Sequence, residues 1–214
     1  MIHTKKYEAV LFDMDGVLAD TREWVFSAFE HTASTHPYIL EHRALDTLIG
    51  QPLEACYVQL VSAEHAPGLT AQHRIFQRDY MHLIAEFDGI AQTLHTLREE
   101  GIKLAIVTGR TRSSALETLD RLALRSYFDA IVTADDTQSH KPDPEPALSA
   151  LRLLNVPADR ALMVGDAVAD ILCGQRAGCE TAAALYGFVG PSLASLGPTY
   201  LLETPQDILT VCLH

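Results

Sequence analysis

Five short apolar runs recur along the chain and predict the strands of one sheet. They are rich in β-branched residues and cover residues 9–12, 104–108, 130–133, 161–165 and 181–185. Apolar and polar residues do not alternate within these runs, which is typical of strands buried on both faces of a parallel sheet. We therefore expect helices to cover the sheet on both sides.

Apolar residues between the runs recur at the spacing of one helix face. The helical sets are Ile90, Leu94 and Leu97; Leu116, Leu119 and Leu122; Leu148, Leu151 and Leu154; Val168, Ile171 and Leu172. Gly101 is placed to end one helix, and Asp143 followed by Pro144 is typical of a helix start. Alternating strands and helices predict an open α/β sheet.

One interval of about 65 residues interrupts this alternation with helical periodicity alone. Asp20 and Glu23 have the spacing of a capping box at its start. Near its end, one apolar stripe predicts a last helix that continues to Phe87, through Phe76, Tyr80, Leu83 and Ile84. We expect a helical cap domain over residues 20–86, inserted into a discontinuous core domain of residues 1–19 and 87–214.

Composition narrows the functional classes. The chain has 214 residues, 48% of them hydrophobic, and a formal net charge of −12 that would repel nucleic acid and anionic membranes. Glycines and prolines interrupt the uncharged stretch 181–202, which disfavours a membrane span. The four cysteines form no CxxC pair, and acids interrupt the apolar start of the chain. We therefore expect a reduced cytoplasmic protein with no nucleic-acid or membrane partner.

Chemically capable residues follow the predicted strands. Ligands of open α/β sheets bind at the carboxyl ends of strands, where this chain has Asp13, Asp15, residues 108–110, Lys141, Asp166 and Asp170. Crowded carboxylates repel one another, and a divalent cation with oxygen ligands, typically Mg²⁺, relieves that repulsion. The pattern predicts a metal site and an anionic substrate.

Four sequence motifs resemble, in order and spacing, those of haloacid dehalogenase superfamily phosphatases. They are DMDGVLAD (13–20), VTG (107–109), KPDPEP (141–146) and VGDAVAD (164–170). The helical insert after the first motif, IGQPLE (49–54) and YLLETPQDIL (200–209) are most similar to the phosphoglycolate phosphatase type. The resemblance implies a Rossmann-like parallel sheet with an inserted helical cap of the C1 type. It also implies Mg²⁺-dependent hydrolysis of a small phosphorylated metabolite.

The resemblance also implies a role for each acid. Asp13 would be the nucleophile that forms an aspartyl-phosphate, and Asp15 would be the general acid and base. Mg²⁺ would be held by Asp13, the backbone carbonyl of Asp15, Asp166 and Asp170, with Asp170 acting through water or orienting the site. An acid in the first turn of a helix, stabilised by the helix dipole, is the structural alternative for Asp170.

The second and third motifs would bind the phosphoryl group. Lys141 would bridge Asp13 and the phosphoryl oxygens, and Thr108 would donate its hydroxyl and its backbone N–H. Gly109 and Arg110 stand where the usual phosphatases of this type have Asn after the motif Thr. Arg110 could replace the Asn contact to phosphate or could point to solvent.

Substrate choice is expected to lie in the cap. The candidate contacts to the leaving group are Arg22, Trp24, Gln51 and Arg110, and packing is the alternative for Trp24. If the leaving group carries a carboxylate, as in phosphoglycolate, a cation such as Arg22 or a helix start at Pro52 would be its partner. A sugar phosphate is the other substrate expected.

Other activities on the same fold can be compared with the sequence. A dehalogenase would normally lack the second acid of the first motif, whereas Asp15 is present. A phosphonate hydrolase needs a cap lysine, whereas no Lys occurs between Tyr7 and Ile102. A phosphomutase of the β-phosphoglucomutase type shares the motifs and the cap. A non-catalytic interaction protein would be expected to lose motif acids, and none is lost.

Overall fold

The computed structural model describes residues 5–36, 48 and 52–213. A sheet of six parallel strands, in the order β5-β4-β1-β6-β7-β8, forms the core. Its strands are β1 (Ala9–Phe12), β4 (Lys103–Val107), β5 (Ala130–Val132), β6 (Ala161–Gly165), β7 (Glu180–Ala184) and β8 (Tyr200–Leu202). The expected parallel α/β sheet is confirmed, and β8 is an edge strand that the apolar pattern did not predict.

Five helices surround the sheet. They are α4 (Ile90–Glu99), α5 (Arg112–Arg121), α6 (Glu145–Leu154), α7 (Val168–Ala177) and α8 (Asp207–Leu213). Gly101, which follows α4, has a φ of +68°, a left-handed conformation that glycine adopts without steric cost. At the start of α6, Asp143 Oδ1 accepts a hydrogen bond from the Glu145 N–H at 2.9 Å. Both predicted boundaries are therefore confirmed.

Successive residues of the central strand face opposite layers of the core. Val10 and Phe12 of β1 pack in the apolar cluster that includes residues of α4, α5 and α8. Ala9 and Leu11 pack in the cluster that includes residues of α6 and α7. All four side chains are fully buried, which explains why the run is apolar throughout.

A helical segment lies between β1 and α4. Its helices, called here the cap helices, are α1 (Arg22–Thr35), α2 (Leu53–Leu60) and α3 (Ala66–Asp79), and they share an apolar cluster that contains Phe29, Tyr57 and Leu69. A short antiparallel ribbon, β2 (Ala19–Asp20) with β3 (Ala85–Glu86), joins the two ends of this segment.

Two expectations about this segment were wrong. The last helix ends at Asp79 rather than near residue 87, because Met81–Leu83 forms a 3₁₀ turn and β3 follows. The capping box is also not formed, since Thr21 is the N-cap of α1 and makes no side-chain capping hydrogen bond. Asp20 Oδ1 instead accepts a hydrogen bond from the Arg22 N–H at 3.3 Å.

Candidate active site

Three buried carboxylates meet at the carboxyl edge of the sheet. Asp13 follows β1 and Asp166 follows β6, and these strands are parallel neighbours. Asp170 lies in the first turn of α7. One carboxylate oxygen from each residue lies within 4.8 Å of the other two, and all three residues are buried. The fold therefore gathers three of the four acids that the motifs identified.

The Lys141 ammonium is the buried cation of this cluster. Its Nζ lies 2.7 Å from Asp13 Oδ1 and 2.6 Å from Asp170 Oδ1. The same atom donates to the Val107 carbonyl at 3.0 Å. The contacts with Asp13 and Val107 are hydrogen bonds, and the contact with Asp170 is an ion pair. Lys141 therefore acts on the two carboxylates through its charge.

Burial and mutual repulsion change the proton affinity of the cluster. Burial and the nearby Asp170 raise the pKa of Asp13 to about 7, although Lys141 opposes the shift. Burial, Asp13 and Asp170 raise the pKa of Asp166 above its ordinary value. Burial favours the neutral form of Lys141, but Asp13 and Asp170 raise its pKa overall. A divalent cation would favour the ionised carboxylates.

The surroundings of Asp166 suit a metal ligand. Its Oδ2 accepts a hydrogen bond from the Phe188 N–H at 2.6 Å, whereas its buried Oδ1 has no hydrogen-bond partner in the described structure. A Cβ atom added at Gly16 or at Gly187 would collide with Asp166. The chain therefore holds one oxygen of Asp166, leaves the other for a ligand and keeps space beside it, which fits Mg²⁺.

Asp170 has a structural role that the sequence left open. Its Oδ2 accepts a hydrogen bond from the Ala167 N–H at 3.0 Å and so caps α7, while its Oδ1 pairs with Lys141. Oδ2 thus accepts a hydrogen bond, whereas the buried Oδ1 forms an ion pair with Lys141 but accepts no hydrogen bond in the described structure. Asp170 therefore caps α7 and holds Lys141 beside Asp13, which is the orienting role that the sequence left open.

Asp15, the second acid of the first motif, is held by the core and the cap together. Arg110 Nε donates to Asp15 Oδ2 at 2.8 Å, and Arg110 Nη2 donates to Oδ1 at 2.6 Å. The Thr21 hydroxyl, just before α1, donates to Oδ1 at 2.6 Å. Burial alone would raise the pKa of Asp15, but Arg110 and Thr21 lower it below its ordinary value.

Arg110 takes neither of the two positions that the sequence suggested. Its guanidinium binds Asp15, donates to the Thr118 hydroxyl at 2.7 Å and lies 4.4 Å from the Trp24 ring centroid. Trp24 in turn donates its indole N–H to the Gln77 carbonyl at 2.8 Å. Arg110 therefore joins the core to α1, and Trp24 both packs and borders the site.

The second motif is only partly free to contact a phosphoryl group. Thr108 N–H donates to the Val132 carbonyl at 3.0 Å, so the expected backbone contact to phosphate was wrong. Thr108 Oγ1 accepts from the Arg110 N–H at 3.2 Å, which leaves its hydroxyl hydrogen for another acceptor. Thr108, Gly109 and Asp13 all border one cavity of about 690 Å³.

This cavity lies between the core and the cap helices. Its core side includes Asp13, Asp15, Thr108 and Arg110, and the rest of its wall combines apolar and basic residues with the acids Glu54, Glu117 and Asp135. Residues that contribute to that wall are Trp24, Phe29, Leu48, Cys56, His73, Arg74, Gln77, Arg78 and Met81. A volume of this size suits a small organic ligand.

Comparisons with known proteins identify the family. The family model described as "Haloacid dehalogenase-like hydrolase" matches residues 10–184. The chain belongs to this family. Pyrophosphatase PpaX of Halalkalibacterium halodurans is 36% identical over 208 residues, covering 94% of this chain and 95% of that protein. Pyrophosphatase PpaX of Bacillus cereus (strain Q1) is 35% identical over 210 residues, covering 96% of each chain.

Solved structures agree with this assignment. A candidate phosphoglycolate phosphatase from Lactobacillus plantarum superposes with a TM-score of 0.87 at 25% identity, covering 96% of this chain and 99% of that one. The β-phosphoglucomutase of Clostridium difficile has a TM-score of 0.83 at 19% identity, covering 94% and 93%, and shows the shared fold alone. The expected haloacid dehalogenase-like resemblance is confirmed, and the chain is a hydrolase of the phosphatase type.

Arg22, one candidate substrate residue of this haloacid dehalogenase-like hydrolase, does not meet the other site residues. Arg22 Nη2 donates to the Phe188 carbonyl at 2.7 Å, and Arg22 borders a smaller cavity, of about 440 Å³, that does not include Asp13. Gln51 lies outside the described residues. The structure therefore brings Trp24 and Arg110, but not Arg22, to the cavity of the motif residues.

Sequence reasoning missed the basic face of α3 and the loop after β7. Arg74 and Arg78 border the main cavity, but charged residues one turn apart also occur on solvated helix faces. The Phe188 N–H binds Asp166 through a backbone atom, which no side-chain pattern reveals. None of the helices in the described part of the chain has both the length and the apolar character needed to cross a membrane.

Proposed function

We propose that this protein is a Mg²⁺-dependent phosphohydrolase that acts on a small phosphorylated substrate through an aspartyl-phosphate on Asp13. The observation that supports it most is the arrangement of Asp13. This buried carboxylate borders the main cavity, lies 2.7 Å from Lys141 and shares an acidic cluster with Asp166. This arrangement supports one common reaction for the residues predicted from the motifs.

In the first half-reaction, a carboxylate oxygen of Asp13 attacks phosphorus. A bond forms between that oxygen and phosphorus, and the bond from phosphorus to the leaving oxygen breaks with its electron pair. The charge of Lys141 stabilises the Asp13 carboxylate, and the Thr108 hydroxyl is placed to donate to a phosphoryl oxygen. A proton from water completes the leaving group, because Arg110 and Thr21 lower the pKa of Asp15 and so oppose the general-acid role that the resemblance implied.

In the second half-reaction, water attacks the phosphorus of the aspartyl-phosphate. Asp15 takes the proton of that water at a carboxylate oxygen, the bond from Asp13 to phosphorus breaks, and inorganic phosphate leaves. Arg110 and Thr21 orient Asp15 for this step.

Asp13, the backbone carbonyl of Asp15 and Asp166 would hold the metal, with Asp170 orienting the site. When bound, Mg²⁺ would neutralise negative charge on the phosphoryl oxygens. Two features support this choice: Asp166 Oδ1 has no hydrogen-bond partner among the described residues, and Mg²⁺ prefers carboxylate oxygens. The relatives named pyrophosphatase support a substrate class of small phosphate esters or anhydrides.

The test is phosphate release by wild type, Asp13→Asn and the matched control Asp159→Asn, with excess Mg²⁺ or excess chelator. Asp159 is an exposed acid outside the cavity. We expect wild type to release phosphate from phenyl phosphate and from pyrophosphate or phosphoglycolate. This release should be lost in Asp13→Asn and in chelator, and it should be kept in Asp159→Asn. Turnover by Asp13→Asn would contradict the covalent mechanism. Transfer to an isomeric sugar phosphate without phosphate release would support the phosphomutase alternative.

A further inference from the structure

The main cavity has a basic side formed by one cap helix. His73, Arg74, Gln77 and Arg78 of α3 border the same cavity as Asp13. Arg74 and Arg78 are one helical turn apart, so their side chains leave the same face of α3. The cap side of the cavity therefore carries two cations together with one acid, Glu54 of α2, whereas the core side carries the motif carboxylates.

Arg74 and Arg78 are both exposed and form no ion pair with an acid of the described residues. In the described structure, no carboxylate lies within ion-pair distance of Arg74 or Arg78, whereas several other arginines have carboxylate partners, namely Arg98, Arg110, Arg112, Arg125 and Arg160. Two like charges one turn apart destabilise a helix. The chain nevertheless keeps this pair beside the cavity, although its formal net charge is −12. An anionic ligand would compensate both charges.

A buried polar atom beside the arginines also lacks a partner. His73 is fully buried and borders the cavity, and its Nδ1 lies 2.8 Å from the Tyr57 hydroxyl. Its Nε2 has no hydrogen-bond partner in the described structure. Burying an unsatisfied polar atom costs free energy, so Nε2 is a second, independent indication that a polar ligand group binds here.

The position of Arg22 strengthens the case for α3. The sequence suggested Arg22 as the cation for an anionic leaving group, but its guanidinium binds the Gly187 and Phe188 carbonyls. Arg110 is also committed, because it binds Asp15. Arg74 and Arg78 are thus the cavity cations that remain without an acidic partner in the described structure.

We propose that Arg74 and Arg78 bind an anionic group on the leaving part of the substrate, with His73 Nε2 contacting a polar atom beside it. The substrate class is then a phosphate whose leaving group is itself an anion. Pyrophosphate, which leaves as phosphate, and phosphoglycolate, which leaves as a hydroxy carboxylate, share this chemistry. The proposal rests on the proposed function of the same cavity and assigns its selectivity to α3.

The test compares substrates that have and lack the second anion. The values of kcat/KM are measured for pyrophosphate, phosphoglycolate and phenyl phosphate, whose leaving group is a neutral phenol. The proteins are wild type, Arg74→Gln, Arg78→Gln, the double variant and the matched control Arg121→Gln. Arg121 is an exposed arginine of α5 outside the cavity and has no ion-pair partner among the described residues.

The informative quantity is kcat/KM for pyrophosphate, or for phosphoglycolate, divided by kcat/KM for phenyl phosphate. We expect each single variant to lower this ratio about tenfold and the double variant to lower it further, mainly through KM. The substrate whose ratio falls identifies the anion as phosphate or carboxylate. Arg121→Gln should leave the ratio unchanged.

Three results would overturn the proposal: an unchanged ratio in the double variant, an equal fall in Arg121→Gln, or a wild-type preference for phenyl phosphate over both other substrates. Phenyl phosphate turnover by each variant reports that it is folded. Failure of the proposed function is distinct from these outcomes, because it would show as turnover by Asp13→Asn whatever the ratio.

Discussion

Lys141 balances the charge of the buried carboxylates, and this sets a first prediction. Replacing Lys141 with Met leaves Asp13 and Asp170 without the ammonium that lies within 2.7 Å of both. Loss of one partner of a buried ion pair typically costs about 3–5 kcal/mol. We therefore expect the free energy of unfolding of Lys141→Met, measured in chelator, to be lower than that of wild type by this amount.

The controls for this prediction use the same measurement, denaturant unfolding. Adding Asp13→Asn to Lys141→Met should recover part of the loss, since one uncompensated carboxylate is removed. Lys5→Met, at a lysine with no acidic partner in the described structure, should change stability little. A Lys141→Met protein as stable as wild type would contradict the charge balance described here.

Arg110 is expected to act through Asp15. Arg110→Met removes two hydrogen bonds to Asp15 and the contact with Trp24. We expect kcat for phenyl phosphate to fall by about tenfold to hundredfold, with a smaller loss for Arg110→Lys, which keeps the charge but not the paired geometry. When Arg110→Met is added to the Asp15→Asn variant, kcat should fall little further, because Arg110 acts through Asp15. Additive losses would show that the two residues act separately.

The loop after β7 links α1 to the metal site. Arg22 binds the Phe188 carbonyl and the Phe188 N–H binds Asp166, so Arg22→Met should loosen the hold on Asp166. We expect the Mg²⁺ concentration needed for half-maximal activity to rise about tenfold, with a smaller change in KM for phenyl phosphate. An equal effect on both quantities would place Arg22 in substrate binding, as the sequence first suggested.

Burial of His73 makes the cap helices sensitive to acid. Burial and the charge of Arg74 lower the pKa of His73 to about 3. Its ordinary pKa is about 6.5, so only the unfolded chain binds the proton between these values. The free energy of unfolding is therefore at its full value above about pH 6.5 and decreases as the pH falls, by about 2 kcal/mol at pH 5.

The measurement is the fall in unfolding free energy between pH 7 and pH 5. We expect His73→Gln to reduce this fall by about 2 kcal/mol, while His82→Gln, at an exposed histidine, leaves it unchanged. The same pH dependence in His73→Gln as in wild type would contradict the burial of a neutral imidazole.

The elements of the core were predictable because each has a clear sequence signal. The continuous apolar runs of β1 and β6 follow from burial on both faces, and helix ends such as Gly101 follow from backbone sterics. The ribbon β2–β3 was not predictable, since two-residue strands have no periodicity. Its pairing ended the last cap helix earlier than the apolar stripe indicated.

The part of the candidate site that the motifs form was predictable from the sequence. The part that depends on the packing of the cap helices was not. Asp13, Lys141 and Asp166 meet because parallel strands end at one edge of the sheet. The pairing of Arg110 with Asp15 joins residues 95 positions apart, and no local pattern records it. The position of Arg74 beside the cavity likewise depends on how α3 packs on α1 and α2.

At the scale of the whole molecule, Asp13 is the proposed covalent carrier of the phosphoryl group, at a cavity between a catalytic core and a selective cap. The most direct test is reductive trapping of that acyl phosphate. Wild type is mixed with substrate and Mg²⁺, quenched during turnover and treated with borohydride, which reduces an aspartyl-phosphate to homoserine. Peptide mass spectrometry then locates the reduced residue.

We predict homoserine at position 13 in wild type, none in chelator, none without substrate and none in Asp13→Asn. Trapping at another residue, or the absence of any reduced residue while phosphate is released at the wild-type rate under conditions that trap a known acyl phosphate, would contradict the mechanism.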